Sequence, residues 1–312
     1  WIWNRRVAQI AVTYQDGSHI RFPKGMTLLE ASQANGIAHT SVCGGRGRCS
    51  TCRVAVRFGS ENLPPASAEE QAVLDRISAS PDVRLACQSI PTKGPLTIAP
   101  LLPARAALRK ATSTSKFEFG NEKEIAVLFA DIRGFTSISE KKLPYDVVFI
   151  LNRYFEAVGK AIESSGGHLD KFIGDGTMAL FGLNGDLKTG CHDALKAARK
   201  MIEAVEALNL GLEQDLGQGL RIGIGIHAGP AIVGEMGYGS ATQLTAVGDI
   251  VNTASRLESA TKEHKALLIA SELVVSSAAV YPSIGELKQL SVRGREGGLP
   301  AFVVMDINGL PS

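Results

Sequence analysis

The chain reads IAVLFADIRGFT over residues 125–136 and KFIGDGTMALF over residues 171–181, and these two stretches decide the fold of its second half. Asp131 ends the apolar run of the first stretch, and Asp175 lies in a Gly-Asp-Gly turn of the second. An apolar run that ends in a turn is typical of a buried strand, and a glycine turn between two runs is typical of a hairpin. Two carboxylates at the ends of neighbouring strands can hold two Mg²⁺ against a triphosphate. The pair therefore indicates nucleotide chemistry.

The composition is that of an ordinary globular protein with two domains. At 312 residues the chain can bury two separate cores. Its 33 lysines and arginines nearly balance its 31 aspartates and glutamates, so no global field attracts nucleic acid, which we exclude as a partner. No uncharged apolar stretch approaches the roughly 18 to 20 residues that cross a bilayer.

The first six residues, WIWNRR, place tryptophans before arginines. This order is typical of the cytoplasmic border of a membrane span. Two interpretations stay open. Either a membrane anchor precedes Trp1 and tethers the protein to the inner face of a membrane, or the sequence starts at an arbitrary point.

The first 100 residues predict a small domain of strands and short helices. Residues 7–14 alternate like a strand, and an Asp-Gly turn leads into a second strand that ends near Phe22. Capping boxes at residues 27–30 and 67–70 each predict the start of a helix. Another strand is expected at 52–58, and the domain closes near Pro100.

Residues 101–121 change to an Ala/Arg/Lys-rich and then a Ser/Thr-rich composition, which predicts a linker that is helical at its start. A second domain follows over residues 122–312, with strands at 124–131 and 220–227 and a hairpin around Asp175. Helices are expected at 144–164, 189–208 and 250–259. Both domains are therefore of the α+β class.

Four of the five cysteines form a ligand pattern: Cys43, Cys49 and Cys52 share one glycine-rich loop, and Cys87 lies far downstream. Such a loop can enclose a metal cluster, because glycines let backbone amides approach the sulfurs. A single zinc ion is an alternative, although structural zinc sites usually bring two paired knuckles. Two disulfides are a third option, which would need an oxidising compartment.

The loop CGGRGRCSTC, residues 43–52, resembles that of a [2Fe–2S] ferredoxin of the β-grasp fold, in the adrenodoxin-like branch. The resemblance covers about residues 7–100. It implies one [2Fe–2S] cluster per chain, held by the four cysteines, and an electron donor protein as a partner. A cluster of this kind, without a secretion signal, also implies a cytoplasmic location.

The second domain resembles a class III nucleotide cyclase over about residues 124–305. Three motifs carry the resemblance: FADIRGFT at 129–136, KFIGDG at 171–176 and TAVGDIVNTASR at 245–256. Each alone is weak, whereas the three in this order are specific. They imply a ferredoxin-like βαββαβ fold and an adenylate cyclase of signal transduction, which converts ATP to 3′,5′-cyclic AMP and pyrophosphate.

The resemblance also assigns residues to the metal ions and the phosphates. Asp131 and Asp175, with the backbone carbonyl of Ile132, would hold two Mg²⁺ or Mn²⁺ ions. Other residues would bind the phosphates: the free amides at a helix start, and one arginine where relatives use a lysine. These residues are Gly134, Phe135, Thr136 and Arg293.

The remaining assignments concern the ribose and the base. Asn252 would orient the ribose, and Arg256, one helical turn later, would stabilise charge on the α-phosphate. Lys171 and Thr245 favour adenine, since guanylate-specific relatives carry a glutamate and a cysteine there. In the family the metal aspartates meet the base-reading residues across a head-to-tail dimer. This chain carries both halves, which implies a homodimer with two equivalent sites.

Several functions stay open at this stage. The cluster would either regulate the cyclase according to its redox state or only stabilise its own domain. The protein could instead be an electron carrier whose cyclase-like domain is inactive and serves dimerisation, or a guanylate cyclase. A diguanylate cyclase is disfavoured, because Gly166 and Gly167 lack the acid-Glu-Phe continuation of that signature.

Overall fold

The computed structural model describes residues 9–102, 120–216, 219–238, 241–280, 284–292 and 297–312. The chain divides into two compact units, Trp1–Asn121 and Glu122–Ser312. Most of the predicted linker, and the first eight residues with their tryptophans and arginines, lie outside the described ranges. Within those ranges, no helix combines the length and apolar character that a membrane crossing needs.

The first unit is a five-stranded sheet with two short helices, α1 (Leu28–Ala34) and α2 (Ala68–Arg76). The strands run in the order β2-β1-β5-β3-β4, where β1 and β5 pair in parallel and the other pairs are antiparallel. Their bounds are β1 Gln9–Tyr14, β2 His19–Pro23, β3 Arg53–Phe58, β4 Val83–Leu85 and β5 Leu96–Pro100. This is the predicted β-grasp arrangement.

The two predicted helix starts differ in one detail. At α1 the capping box is complete: Thr27 Oγ1 accepts from the Glu30 amide at 3.1 Å, and Glu30 accepts from the Thr27 amide at 2.8 Å. At α2 Ser67 caps the helix, but the carboxylate of Glu70 binds Arg84 through two hydrogen bonds of 2.9 and 2.8 Å. The prediction of a second capping box was therefore half wrong, because a bidentate ion pair is stronger than the reciprocal cap.

The second unit is an eight-stranded sheet in the order β12-β13-β11-β9-β6-β8-β7, with β10 paired to β9. The bounds are β6 Asn121–Ile132, β7 His168–Ile173, β8 Gly176–Phe181, β9 Ile222–Met236, β10 Gln243–Val247, β11 Leu268–Ser271, β12 Glu286–Leu290 and β13 Leu299–Val304. Five helices complete the unit: α3 Phe135–Ser139, α4 Pro144–Glu163, α5 Leu187–Leu216, α6 Asp249–Glu263 and α7 Glu272–Ala278.

The main core of this unit packs α4 and α5 against the sheet, with Leu128, Tyr154 and Leu195 among its fully buried side chains. Two elements run further than the sequence predicted. The helix expected at 189–208 runs from Leu187 to Leu216. Within it, the side chain of Asn209 bonds the amide and carbonyl of Leu220 at 2.7 and 2.9 Å. The strand expected at 220–227 continues through β9, whose second half pairs with β10.

The topology brings the predicted metal ligands to the same end of neighbouring strands. Strand β6 pairs antiparallel with β8, with Ala130 opposite Thr177, and the tight β7–β8 turn holds Asp175 just before Gly176. Gly176 comes so close to Asp131 that an added Cβ atom would lie 3.6 Å from the Oδ1 atom of that aspartate.

Candidate active site

Asp131 and Asp175 form a pair of adjacent carboxylates. Burial raises the pKa of Asp131 to about 7, and the charge of Asp175 and a hydrogen bond to it add to the rise. Two carboxylates this close share either a proton or a cation, since both cannot stay ionised side by side without one. Carboxylate oxygens are the ligands that Mg²⁺ and Mn²⁺ prefer, so the pair fits a divalent metal site.

The loop after Asp131 turns sharply into α3. The amide of Ile132 donates to the Asp131 carboxylate, and the side chain of Ile132 is buried. Gly134 precedes the helix with φ +69°, a left-handed conformation that glycine adopts without strain. The amides that follow, at Phe135 and Thr136, belong to the first helical turn and have no acceptor within the helix. The structure thus places this stretch at a helix start, as the sequence predicted.

An ion pair that the sequence did not reveal fastens this loop to α6. Arg133 Nη1 lies 3.3 Å from Glu258 Oε1, and both side chains are largely buried. The guanidinium fits only because residue 223 is glycine: a Cβ atom there would lie 1.5 Å from Arg133 Nη2. Burial raises the pKa of Glu258, and Arg133 opposes that rise. No local pattern in the sequence indicates this contact, because its partners lie 125 residues apart.

Helix α6 carries the two residues assigned to the ribose and the α-phosphate. Asn252 is exposed and Arg256 half-buried. In the described part of the chain, neither side chain makes a hydrogen bond or an ion pair, including with the two aspartates of its own chain. Both side chains are therefore available to a ligand.

The two residues assigned to the base lie together. Lys171 Nζ is 3.2 Å from Thr245 Oγ1, although the two residues belong to different hairpins. A third residue, missed by the sequence reasoning, joins them: Thr245 Oγ1 donates to Asp170 Oδ2 at 2.5 Å, and Asp170 Oδ1 lies 3.3 Å from Lys171 Nζ. The only signal for Asp170 was its position next to Lys171, and strand alternation would place it on the opposite face.

Two other sequence assignments have different outcomes. Arg293, assigned to the phosphates, lies outside the described residues. Gly167 has a packing role, because a Cβ atom there would lie 2.4 Å from the ring of Phe181. The Gly-Gly pair that suggested a diguanylate cyclase therefore has a steric explanation.

The four cysteines of the first unit come together as two pairs. Cys52 Sγ lies 3.3 Å from Cys87 Sγ, and Cys43 is hydrogen-bonded to Cys49. None of the five cysteines of the chain forms a disulfide. Within the described residues, no three His, Cys, Asp or Glu side chains converge on a single metal position. Two separate pairs suit a cluster of two irons better than one tetrahedral zinc ion.

Hydrogen bonds shift the pKa values of three of these cysteines, and not all in the same direction. The hydrogen bond from Cys52 lowers the pKa of Cys87 to about 6. The same contact with Cys87 raises the pKa of Cys52. At Cys43 burial would raise the pKa, but the bonds from Cys49 and from nearby loop amides outweigh it and lower the pKa. Metal clusters bind thiolates, so the lowered pKa values of Cys43 and Cys87 favour the ligand role.

Comparison with known proteins assigns both units. Residues 117–305 match the family model described as "Adenylate and Guanylate cyclase catalytic domain". The chain belongs to this family. Residues 13–92 match a second family model, described as "2Fe-2S iron-sulfur cluster binding domain". The predicted fusion of a ferredoxin-like domain with a class III cyclase domain is confirmed, and so is the α+β fold class.

Individual relatives match the cyclase domain. The chain is 36% identical over 189 residues to an adenylate cyclase of Anabaena cylindrica, a match that covers 58% of this chain and 37% of that protein. The crystal structure of the guanylyl cyclase Cya2 is similar at 30% identity and a TM-score of 0.54, covering 59% of this chain and 93% of Cya2. That of the adenylyl cyclase CyaB from P. aeruginosa is similar at 29% identity and a TM-score of 0.52, covering 60% and 96%. Because structural relatives of both nucleotide types are similar to nearly the same degree, the choice of base must come from the residues of this chain.

Proposed function

We propose that this chain is an adenylate cyclase that converts ATP to 3′,5′-cyclic AMP and pyrophosphate, as a homodimer regulated by its iron–sulfur domain. The observation that carries the proposal is the contact between Asp131 and Asp175, at one end of strands β6 and β8 of a cyclase catalytic domain. The contact between Lys171 and Thr245 supports adenine as the base.

In the mechanism, the chain positions and neutralises the nucleotide. Two Mg²⁺ or Mn²⁺ ions, held by Asp131, Asp175 and the Ile132 carbonyl, would activate the ribose 3′-hydroxyl and neutralise the phosphates. Asn252 holds the ribose so that this hydroxyl faces the α-phosphate in line with the departing pyrophosphate. Arg256 donates to the α-phosphate oxygens, where negative charge develops.

The phosphates and the base bind to separate parts of the site. The first-turn amides of α3, from Gly134 to Thr136, face the terminal phosphates. Lys171 and Thr245 hold the adenine edge.

A homodimer is supported by the surface of α4. Tyr145, Val148 and Phe149 near the start of this helix are 88%, 54% and 52% exposed. Large apolar side chains exposed together often mark a protein interface. A second copy of the chain would cover these side chains. It would also bring Asp131 and Asp175 of one subunit to Asn252, Arg256 and the base-reading residues Lys171 and Thr245 of the other.

The activity is tested by identifying the product. The protein is incubated with ATP or GTP and either Mg²⁺ or Mn²⁺, and the nucleotides are separated by chromatography. We expect cyclic AMP from ATP and much less cyclic GMP from GTP. Preferential cyclic GMP formation would establish the guanylate cyclase alternative. No cyclic product from either nucleotide would favour the electron carrier with an inactive dimerisation domain.

The assignment of the base-reading pair gives a first prediction. The double variant Lys171→Glu, Thr245→Cys is expected to lower kcat/KM for ATP at least about tenfold, since the glutamate carboxylate repels the N1 lone pair of adenine. The measurement is kcat/KM for ATP and for GTP. Lys188→Glu is the matched control, because it makes the same charge change at an exposed position of α5. An unchanged preference for ATP in the double variant would contradict the assignment.

The iron–sulfur domain gives a second prediction. Replacing Cys87 by serine is expected to remove the visible absorption of the [2Fe–2S] cluster and to lower the iron content from about two per chain to near zero. Cys191→Ala is the control, since Cys191 is fully buried in the cyclase domain and burial raises its pKa to about 12. A Cys87→Ser protein with the full spectrum and iron content would show that Cys87 is not a ligand.

We further propose that the redox state of the first domain changes the rate of the second, which requires an electron donor protein. Coupling of this kind needs the two redox states to differ in their preference for the arrangements of the cyclase dimer. The test compares cyclic AMP formation by oxidised and dithionite-reduced protein, with Cys87→Ser as the control that should show no difference. Rates that match within error for the unaltered protein would leave the cluster as a structural element only.

A further inference from the structure

Asp170 lies buried beneath the base-reading pair, with its carboxylate side chain fully removed from solvent. We propose that Asp170 determines base specificity by fixing the hydroxyl proton of Thr245, so that the site accepts a 6-aminopurine and rejects a 6-oxopurine. The inference rests on the proposed function in taking a purine nucleoside triphosphate as the ligand. It adds a positioning residue that does not itself touch the base.

A β-bulge lets Asp170 reach this position. In a regular strand, residues 170 and 171 would point to opposite faces of the sheet. In β7, however, Leu169 pairs with Ala179 and Lys171 pairs with Met178, so Asp170 is the extra residue of a register shift. Bulges of this kind turn a side chain toward a new direction. Asp170 and its neighbour Lys171 therefore both contact Thr245.

The hydrogen-bonding roles in this cluster are fixed by chemistry. A carboxylate only accepts and an ammonium only donates, whereas a hydroxyl has one hydrogen and two lone pairs. Thr245 must therefore donate its single hydrogen to Asp170 Oδ2, and it accepts one bond from Lys171 Nζ. One lone pair of Thr245 Oγ1 remains.

The ammonium group of Lys171 has hydrogen-bond donors that are not used within the cluster. Asp170 Oδ1 makes no hydrogen bond within the described residues, so its 3.3 Å contact with Lys171 Nζ is an electrostatic one. The ammonium donates one of its three hydrogens to Thr245 Oγ1. Its side chain is 36% exposed, so its remaining donors can reach a ligand.

This arrangement matches one purine edge and opposes the other. Adenine presents an amino donor at C6, which suits the remaining lone pair of Thr245, and a bare nitrogen at N1, which suits Lys171. A 6-oxopurine presents an oxygen acceptor at C6 and an N–H donor at N1. The oxygen would face the remaining lone pair of Thr245, and the N1–H group would face the ammonium of Lys171. If Asp170 were absent, the Thr245 hydroxyl could rotate and donate to the oxygen at C6. One of the two penalties against the 6-oxopurine would then disappear.

The test compares ATP with inosine triphosphate, which differs from ATP only at N1 and C6. The ratio of kcat/KM for ATP to that for inosine triphosphate is expected to fall about tenfold in Asp170→Ala. Asp170→Leu, which fills the same space without an acceptor, should give the same fall if the alanine variant does not fold. Thermal unfolding is measured for each variant.

A double-variant cycle separates proton orientation from general damage. Thr245→Val removes the hydroxyl, so adding Asp170→Ala to it should not lower the ratio further. Two outcomes overturn the inference. One is an unchanged ratio in both Asp170 variants, with affinity for the two nucleotides falling equally. The other is that the two substitutions lower the ratio additively.

The inference can fail separately from the proposed function. Failure of the proposed function appears as no cyclic product from ATP in the unaltered protein. In that case the same ratio is obtained from binding constants, measured by displacement of a fluorescent ATP analogue. A binding ratio that Asp170→Ala leaves unchanged would overturn the inference, whether or not the protein turns over.

Discussion

Replacing Asp131 by asparagine is expected to lower the rate of cyclic AMP formation at least about a hundredfold. An amide has the shape of the carboxylate but not its charge, so it is a poor ligand for Mg²⁺. The fold should persist, because the substitution removes the repulsion from Asp175 that helps to raise the pKa of Asp131. The measurements are the initial rate at saturating ATP and Mg²⁺, and the Tm with and without Mg²⁺.

The Tm comparison separates loss of metal from loss of structure. We expect the variant to be at least as stable as the unaltered protein in EDTA, and to lose any rise in Tm that Mg²⁺ produces in the unaltered protein. Glu206→Gln is the matched control, since it removes one carboxylate charge from an exposed position of α5. Full activity in Asp131→Asn would contradict the assigned metal role.

The parts of this site that the sequence predicted are those that local pattern encodes. The apolar run before Asp131 and the glycines around Asp175 indicate a strand end and a hairpin, because burial and backbone conformation are local requirements. The start of α3 just after Gly134 follows from the same reasoning. These elements determine at which end of the strands the two carboxylates lie. In the structure, Asp131 and Asp175 both lie at that end.

The parts that the sequence did not predict depend on register and packing. Asp170 sits in a bulge, and a bulge is a property of two paired strands rather than of one sequence segment. The pairing of Arg133 with Glu258 requires that β9 present Gly223 where the guanidinium passes, which no local pattern reports. Glu70 shows the same limit, since its carboxylate does not complete the predicted helix cap and binds Arg84 on strand β4 instead.

The Arg133–Glu258 ion pair connects the loop after Asp131 to helix α6, which carries Asn252 and Arg256. Arg133 is two residues from Asp131, and Glu258 lies two residues beyond Arg256 on α6. A shift of α6 would therefore be transmitted to the metal loop of the same subunit. If the two sites of a dimer are shared between subunits, this link joins the metal half of one site to the catalytic half of the other. That sharing has a direct genetic test.

Two inactive variants are expected to restore each other in a mixed dimer. Asp131→Asn and Asn252→Ala should each be inactive alone, because every site of either homodimer lacks one group. In the heterodimer, both substitutions fall in the same shared site, and the other site is intact. Co-expression with two different tags and tandem purification should therefore give about half the activity of the unaltered dimer.

The control pairs follow from the same geometry. Asp131→Asn combined with Asp175→Asn should restore nothing, because each site then lacks one metal ligand, and Asn252→Ala combined with Arg256→Ala should likewise stay inactive. Equal recovery in all three pairs would indicate contamination or exchange with unaltered protein. No recovery in the mixed pair, with the heterodimer intact by size and tag content, would show that each chain builds its own site. The exposed face of α4 would then need another partner, and Asn252 and Arg256 would have to reach Asp131 within one subunit.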